Sequence, residues 1–216
     1  TDGNVSSENL EYDSETMVNY EIGLKGNLYK NVLFQTSLFY QDREDVQTKQ
    51  SLVTSIKSGE QGGLCPCSFT DYTGNAVKGS NYGLELELIW LVNNKTDLFF
   101  NLGLLETEFN KYLSFSHVDS DLKKGIPVDL TGRDQAHAPQ YQLSLGMNYK
   151  ITDNLFIKFD IEAKDEFYFS DRHNVQSDDY MLFNLLLGYQ KDSWEFKIFG
   201  KNLSDEDYQT RGFGSF

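Results

Sequence analysis

The 216-residue sequence is poor in proline (3), cysteine (2) and methionine (3), and nowhere does it hold a continuous apolar run. A membrane-crossing helix needs about 20 consecutive apolar residues, so a helical membrane protein is excluded. Basic residues are also scarce: 19 Lys+Arg against 33 Asp+Glu leave a formal charge of −14. The longest basic cluster is Lys123-Lys124. A surface this acidic, with no basic patch set apart, repels a polyanion and argues against nucleic acid as a partner. The two cysteines form Cys65-Pro66-Cys67, too few for a disulfide framework or a four-ligand zinc site. They are read either as a locally strained disulfide or as inert thiols. Thr1-Asp2-Gly3-Asn4 has no Met, basic segment or apolar leader, so a signal has been removed or the start lies elsewhere. No nucleophile elbow, phosphate loop, dinucleotide fingerprint or His-Glu-x-x-His occurs, and an enzyme finds no support in a motif.

What the chain does have is 16 Phe, 13 Tyr and 2 Trp, enough apolar bulk to exclude intrinsic disorder. These residues recur with a period of two, the mark of strands with one apolar and one polar face. Residues 141 to 150 set Tyr141, Leu143, Leu145, Met147 and Tyr149 against Gln142, Ser144, Gly146, Asn148 and Lys150. The same alternation marks strands near 20–28, 34–41, 82–90, 98–104, 155–162, 183–189 and 194–198. That makes about eight strands of roughly 10 residues, the length that crosses a bilayer when tilted.

Connection lengths alternate. Short turns fall near Tyr29–Asn31, Asn93–Lys95, Ile151–Asp153 and Gln190–Ser193. Long polar segments fall near Arg43–Lys78, Asn110–Ala138, Phe169–Asp178 and from Ser204 onward. The pattern predicts an all-β, antiparallel transmembrane β-barrel segment with short periplasmic turns and long extracellular loops. The polar face carries Glu85, Glu87, Lys158, Asp160, Glu162, Glu195 and Lys197, a charge density that needs water or mutual pairing and therefore lines the lumen. The apolar face then meets outer-membrane lipid, with Tyr20, Tyr40, Tyr82, Trp90, Tyr141, Tyr149, Tyr189 and Trp194 at strand ends as interfacial rings. Two other readings use the same alternation: a soluble barrel or sandwich with its apolar faces turned inward, and a complete small eight-stranded outer-membrane barrel with a structural or adhesive role.

Particular residues go further than the pattern. Glu15-Thr16 followed by Asn19-Tyr20-Glu21-Ile22-Gly23-Leu24-Lys25-Gly26, then Phe39-Tyr40 with Asp42 to Gln47, then Gly79-Ser80-Asn81-Tyr82-Gly83-Leu84-Glu85-Leu86-Glu87 occur in that order. They are followed by Ala138-Pro139-Gln140-Tyr141 and, after Trp194-Glu195, by Gly200-Lys201-Asn202-Leu203, Asp205-Glu206-Asp207-Tyr208 and Arg211-Gly212-Phe213. Together these resemble, from about residue 15 to 213, the β-barrel of TonB-dependent outer-membrane receptors. The resemblance implies that residues 1–216 belong to one barrel domain, a piece of its C-terminal half without the plug and the closing strand. It also implies a bacterial outer-membrane location, import of a scarce nutrient such as a ferric siderophore, and contact with the TonB complex through the missing plug.

Candidate site residues are few. Arg133-Asp134 with His137, and Arg172-His173, could meet an anionic ferric chelate, since guanidinium reads carboxylate or phosphate bidentately. Phe69, Tyr72 and Phe115 are loop aromatics able to grip a catecholate or apolar group, although loop-on-loop packing explains them as well. The pairs Glu85/Glu87 and Asp160/Glu162 have the spacing of acid–base carboxyls, but beside Lys25, Lys158, Lys164 and Lys197 they read as a hydrated, mutually paired wall. His117, His137 and His173 lack metal-ligand spacing; no metal and no cofactor is expected.

Overall fold

A computed structural model describes residues 11–58, 64–119, 124–171 and 174–212, with side chains described except at 49–58, 64–72, 76–77, 114–119 and 124–128. The described residues form nine strands: β1 (Thr16–Tyr29), β2 (Val32–Ser58), β3 (Leu64–Asn93), β4 (Thr96–Asp119), β5 (Lys124–Asp129), β6 (Tyr141–Lys150), β7 (Leu155–Lys164), β8 (Tyr180–Lys191) and β9 (Trp194–Gly200). They make one sheet in the order β1-β2-β3-β4-β6-β7-β8-β9, with β5 added to β4. The eight strands of that path match the sequence expectation. Its ends, β1 and β9, do not pair with each other among the described residues, so the closed eight-stranded barrel is not formed.

The long connections differ from the expectation. Arg43–Lys78 is mostly strand, because β2 runs on to Ser58 and β3 begins at Leu64. Asn110–Ala138 likewise holds the far part of β4 and all of β5. These stretches look loop-like because they are polar on both faces, and backbone pairing does not need an apolar face.

The chain divides into two compact units, to which β2, β3 and β4 both contribute. The first, here the hairpin unit, comprises residues 1–19, 41–81 and 107–135. Its apolar centre is small: Val46, Phe109 and Tyr112 are buried, Leu130 packs against them, and the Phe109 and Tyr112 rings lie 4.9 Å apart. Residues 130–133 pair back along β4, through Leu130 N–H to Tyr112 O (2.8 Å), Gly132 N–H to Phe109 O (2.8 Å) and Phe109 N–H to Arg133 O (3.0 Å).

The second, the sheet unit, comprises residues 20–40, 82–106 and 136–216. Its antiparallel registers place like faces together. Leu98, Phe100, Leu102 and Leu104 of β4 lie opposite Met147, Leu145, Leu143 and Tyr141 of β6, and Met147, Leu145 and Leu143 in turn lie opposite Phe159, Ile161 and Ala163 of β7. The apolar row continues through Phe183, Leu185 and Leu187 of β8 to Ile198 of β9. No second layer covers this row among the described residues: Ile22 is 69% exposed, Leu145 40% and Ile198 76%. The soluble reading, with those faces packed inward, is therefore not what this sheet does.

Two-residue turns at Lys30–Asn31, Asn94–Lys95 and Asp192–Ser193, and a four-residue turn at 151–154, join consecutive strands. Asp192 supplies the positive φ (53°) that a tight hairpin demands. Beyond β9 the Gly200-Lys201-Asn202-Leu203 segment makes a side-chain-stapled turn. Asn202, at φ 51°, accepts from Glu206 N–H (3.0 Å) and donates to Glu206 O (2.9 Å), while Leu203 N–H returns to Phe183 O on β8 (2.8 Å).

On the polar face three phenylalanines break the alternation, and each lies over a glycine of the next strand. Phe99 faces Gly146 and Phe156 faces Gly188 in register, and Phe39 covers Gly83. A Cβ at any of these glycines would overlap the ring, so the ring lies flat where the neighbour has no side chain. Gly103 has nothing near its missing Cβ. Gly188→Val should therefore lower unfolding stability by about 1–3 kcal/mol, the usual range for overpacking. Gly103→Val should leave the urea midpoint nearly unchanged. Equal midpoint shifts for the two variants would remove the packing account.

Candidate functional site

The hairpin unit concentrates its polar chemistry around Arg43. Its Nε and Nη2 donate to Glu15 Oε1 (2.8 and 2.5 Å), and its Nη1 donates to Gln135 Oε1 (2.8 Å). Gln135 Nε2 donates to Asn81 Oδ1 (2.7 Å), whose Nδ2 donates to Gln41 Oε1 (3.1 Å), and Gln135 N–H donates to Thr107 Oγ1 (3.0 Å). One guanidinium thus ties the segment before β1 to β2 and, through Gln135, to β3 and β4. Partial burial pushes the Glu15 carboxyl up, but the Arg43 hydrogen bonds, the Gln47 N–H and the Arg43 charge outweigh it and hold the group below its ordinary 4.5.

Arg133 belongs to the hairpin unit and His137 to the sheet unit. Arg133 lies half-buried beside Asp134, whose carboxyl burial raises above its ordinary 3.8, with Arg133 opposing and Glu108 adding to the rise. His137 has φ 57°; its ring lies 5.5 Å from Phe167, and its N–H donates to Tyr168 O (2.9 Å). Phe167 meets Phe169 edge-on at 5.6 Å, and Ser177 Oγ accepts from Phe167 N–H (3.0 Å), closing a small buried aromatic cluster with an exposed imidazole on it.

Arg172 and His173 lie outside the described residues. Phe69, Tyr72, Phe115, His117, Cys65 and Cys67 fall in β3 and β4, so they are strand residues where loops were expected, and their side chains lie outside the description.

The charged face of the sheet unit is brought together, with a correction to its pairing. Lys197 Nζ meets Glu195 Oε2 at 2.9 Å on one strand. Four other carboxylates take amide and hydroxyl partners: Asn184 Nδ2 donates to Asp160 (2.7 Å) and Glu162 (3.3 Å), Asn148 Nδ2 to Asp97 (2.5 Å), and Ser37 Oγ to Glu85 (3.3 Å). Lys158 lies over the Phe156 ring, Nζ 5.9 Å from its centroid. Alternation located this face, but amide–carboxylate pairing follows from cross-strand register, which no single strand encodes.

Glu85, Glu87, Glu162 and Lys164 border a polar recess of about 430 Å³, floored at Gly103 and Ser144, where side chains are small. A larger hollow of about 810 Å³ lies among Tyr20, Leu38, Tyr40, Tyr82 and Tyr141, largely on the apolar face. Sequence reading missed the Arg43 network and the Phe–Gly pairs. A Phe out of phase in an otherwise polar row was the available signal for the pairs, while nothing in the sequence marks Gln135.

Among the described residues, no group of three or more His, Cys, Asp or Glu is placed to hold a metal ion. The whole-chain comparisons agree with the fold. A family model for the TonB dependent receptor-like β-barrel matches residues 1–203, and the chain belongs to this family of outer-membrane transporters. Solved structures with the same fold include the ferric yersiniabactin uptake receptor FyuA from Yersinia pestis (22% identity, TM-score 0.66, 94% of this chain and 27% of that one). They also include the siderophore receptor PiuA from Acinetobacter baumannii (18%, 0.71, 96% and 27%) and the copper transporter OprC (15%, 0.64, 94% and 29%). The chain spans about a quarter of the length of these structures.

The Glu15–Arg43 pair makes a pH prediction. A carboxyl held low in the fold contributes stability that is complete above its unfolded value, near 4.5, and is lost as pH falls through the lowered folded value. Hydrogen-exchange protection at residues 41–48, corrected for intrinsic rates, should be flat from pH 8 to 5 and fall below 4.5. Arg43→Met should lower the plateau and flatten the fall; an unchanged profile in that variant would show that the pair does not hold the segment.

Proposed function

We propose that this chain forms part of the wall of an outer-membrane active-transport receptor that imports a ferric siderophore with energy delivered by TonB through a plug domain. The observation that carries this reading is the uncovered apolar face of the sheet unit, opposite a face of hydrogen-bonded carboxylates and lysines. Such a face needs a lipid solvent, and a receptor barrel of the matched family supplies that setting. Tyr82 and Trp90 on β3, and Tyr141 and Tyr149 on β6, are eight residues apart. At about 3.4 Å per residue they stand about 27 Å apart along the strand, close to the girdle spacing of such barrels once the rings reach outward from tilted strands.

In this reading the whole of residues 1–216 lies in one barrel domain. The turns at residues 30, 94, 152 and 192 are periplasmic, and the long connections near Arg43–Lys78, Asn110–Ala138 and Phe169–Asp178 are extracellular. The carboxylates and lysines from Glu85 to Lys197 line the lumen, with the Gly103 recess open to it. Ligand contact falls to the hairpin and loop side chains Phe69, Tyr72, Arg133, His137, Arg172 and His173. The siderophore assignment draws on FyuA and PiuA, and OprC marks copper as the competing cargo.

Two experiments test this. In the full-length receptor, Leu145→Arg on the apolar face should cost about 2–4 kcal/mol in vesicles, while Ser144→Arg on the next residue costs little. Equal costs would overturn the lipid assignment. In iron-starved cells, deletion of the receptor and loss of TonB should each abolish uptake of the same radiolabelled ferric siderophore. Uptake that persists without TonB would remove the energised mechanism, and uptake of copper alone would change the cargo.

A further inference from the structure

The hollow of about 810 Å³ in the sheet unit has a lining that lipid tails alone do not explain. Strand alternation puts Tyr20, Tyr40, Tyr82 and Tyr141 in it on the apolar face, with Leu38 and Leu104 among them. The same phase carries two carboxylates into the hollow. Glu106 is two residues past Leu104, and Asp165 is two past Ala163, the last of the apolar row on β7. They sit on β4 and β7, the strands that flank β6 and its Tyr141. Leu104 lies opposite Tyr141, Leu105 N–H donates to Gln140 O (2.9 Å), and Asp165 N–H donates to Tyr141 O (3.1 Å). Both carboxylates are half-buried, and no cation or hydrogen-bond donor engages either side chain among the described residues. No lysine or arginine lines the hollow. Lys164, beside Asp165 in sequence, has the opposite phase, and its Nζ lies 6.0 Å from the Phe167 ring centroid. Glu21, also in the lining, has the opposite phase to Tyr20 and Ile22.

An apolar hollow of this size with a few polar groups at its border has the make-up of a small-molecule site. Its two unanswered carboxylates decide the charge of the occupant: a phosphate or carboxylate would be repelled, and a neutral chain would cover them without supplying a counter-ion. A bare metal ion does not answer them, because they belong to no metal-holding group among the described residues. A primary ammonium brings three N–H donors, which two acceptors on separate strands leave incompletely satisfied. A quaternary ammonium has no donors, and it is held by charge and by the faces of aromatic rings. We propose that the hollow binds a single-chain amphiphile with a quaternary ammonium head, its tail among the leucines and its head against the tyrosine rings beside Glu106 and Asp165. The proposal rests on the membrane reading given above and adds a site to the lipid-facing side.

The test uses the full-length receptor that carries this chain, with a photoreactive benzoylphenylalanine replacing Leu38, which is 53% exposed in the hollow. It is reconstituted into phosphatidylcholine vesicles holding equal trace amounts of hexadecyltrimethylammonium and hexadecanol, two chains of one length that differ in the head. After illumination, mass spectrometry of the inserted protein reads the ratio of the two adducts, normalised to vesicle content. The expected ratio is about ten, the factor that one cation–ring contact and one partly exposed ion pair together supply. Glu106→Gln combined with Asp165→Asn should lower it at least about threefold. Asp153→Asn combined with Asp192→Asn, which removes the same charge from the turns, should leave it unchanged. A ratio of one in the parent protein, or equal falls in the two double variants, overturns the site while leaving the lipid-facing assignment in place. Absence of any adduct, phosphatidylcholine included, would overturn that assignment itself.

Discussion

Lateral backbone pairing is the constraint on which the rest of the sheet unit depends. A sheet with one uncovered apolar face has no second layer to hold it, so cohesion comes from strand-to-strand hydrogen bonds and from side chains that meet across strands. Because successive side chains alternate, a slip of one residue in any pair would turn Leu143, Leu145 and Met147 to the polar side and Ser144, Gly146 and Asn148 to the apolar one. The turns guard against that slip. Asn93 Oδ1 accepts from Lys95 N–H (2.8 Å), and Thr152 Oγ1 from Leu155 N–H (3.0 Å), so these two reversals are fixed by their own side chains.

Once register is set, the polar face follows. Asn184 falls opposite Asp160, and Asn148 falls opposite Asp97 of β4. Amides have two donors and no charge, so they satisfy carboxylates without the desolvation that a buried ion pair would bring. The Phe–Gly pairs obey the same register: a flat ring over a glycine fills a gap that would otherwise expose backbone to the polar side, and it keeps that side shallow. Where neither ring nor long side chain is present, at Gly103 and Ser144, the polar recess opens.

The sheet unit was largely legible in the sequence because its two faces differ in polarity, and alternation in a single strand is enough to separate them. The eight-strand path, the turn positions and the charged face from Glu85 to Lys197 all follow from that contrast. The hairpin unit was not legible for the complementary reason. Residues 43–78 and 110–138 carry polar side chains on both faces, so strand and loop look alike, and only pairing with a distant segment tells them apart. Gln135 shows the limit most clearly: its three partners lie 28, 54 and 92 residues away, and nothing local distinguishes it from a solvated loop amide.

The same long-range contacts bear on how a ligand could be held. Arg43 is bound to Glu15 and Gln135, Lys78 meets Glu44 at 2.5 Å, and Arg133 stands beside Asp134. Two of the hairpin unit's basic side chains, Arg43 and Lys78, are thus paired by their own fold before any ligand arrives. An anionic chelate drawn to them would have to displace a carboxylate already in place, and for the Arg43 pair that carries the loss of a four-segment junction. The exposed imidazole of His137, set on the Phe167 and Phe169 rings, carries no such obligation. In the proposed reading, ligand contact at His137 therefore leaves the described ion pairs of the hairpin unit in place.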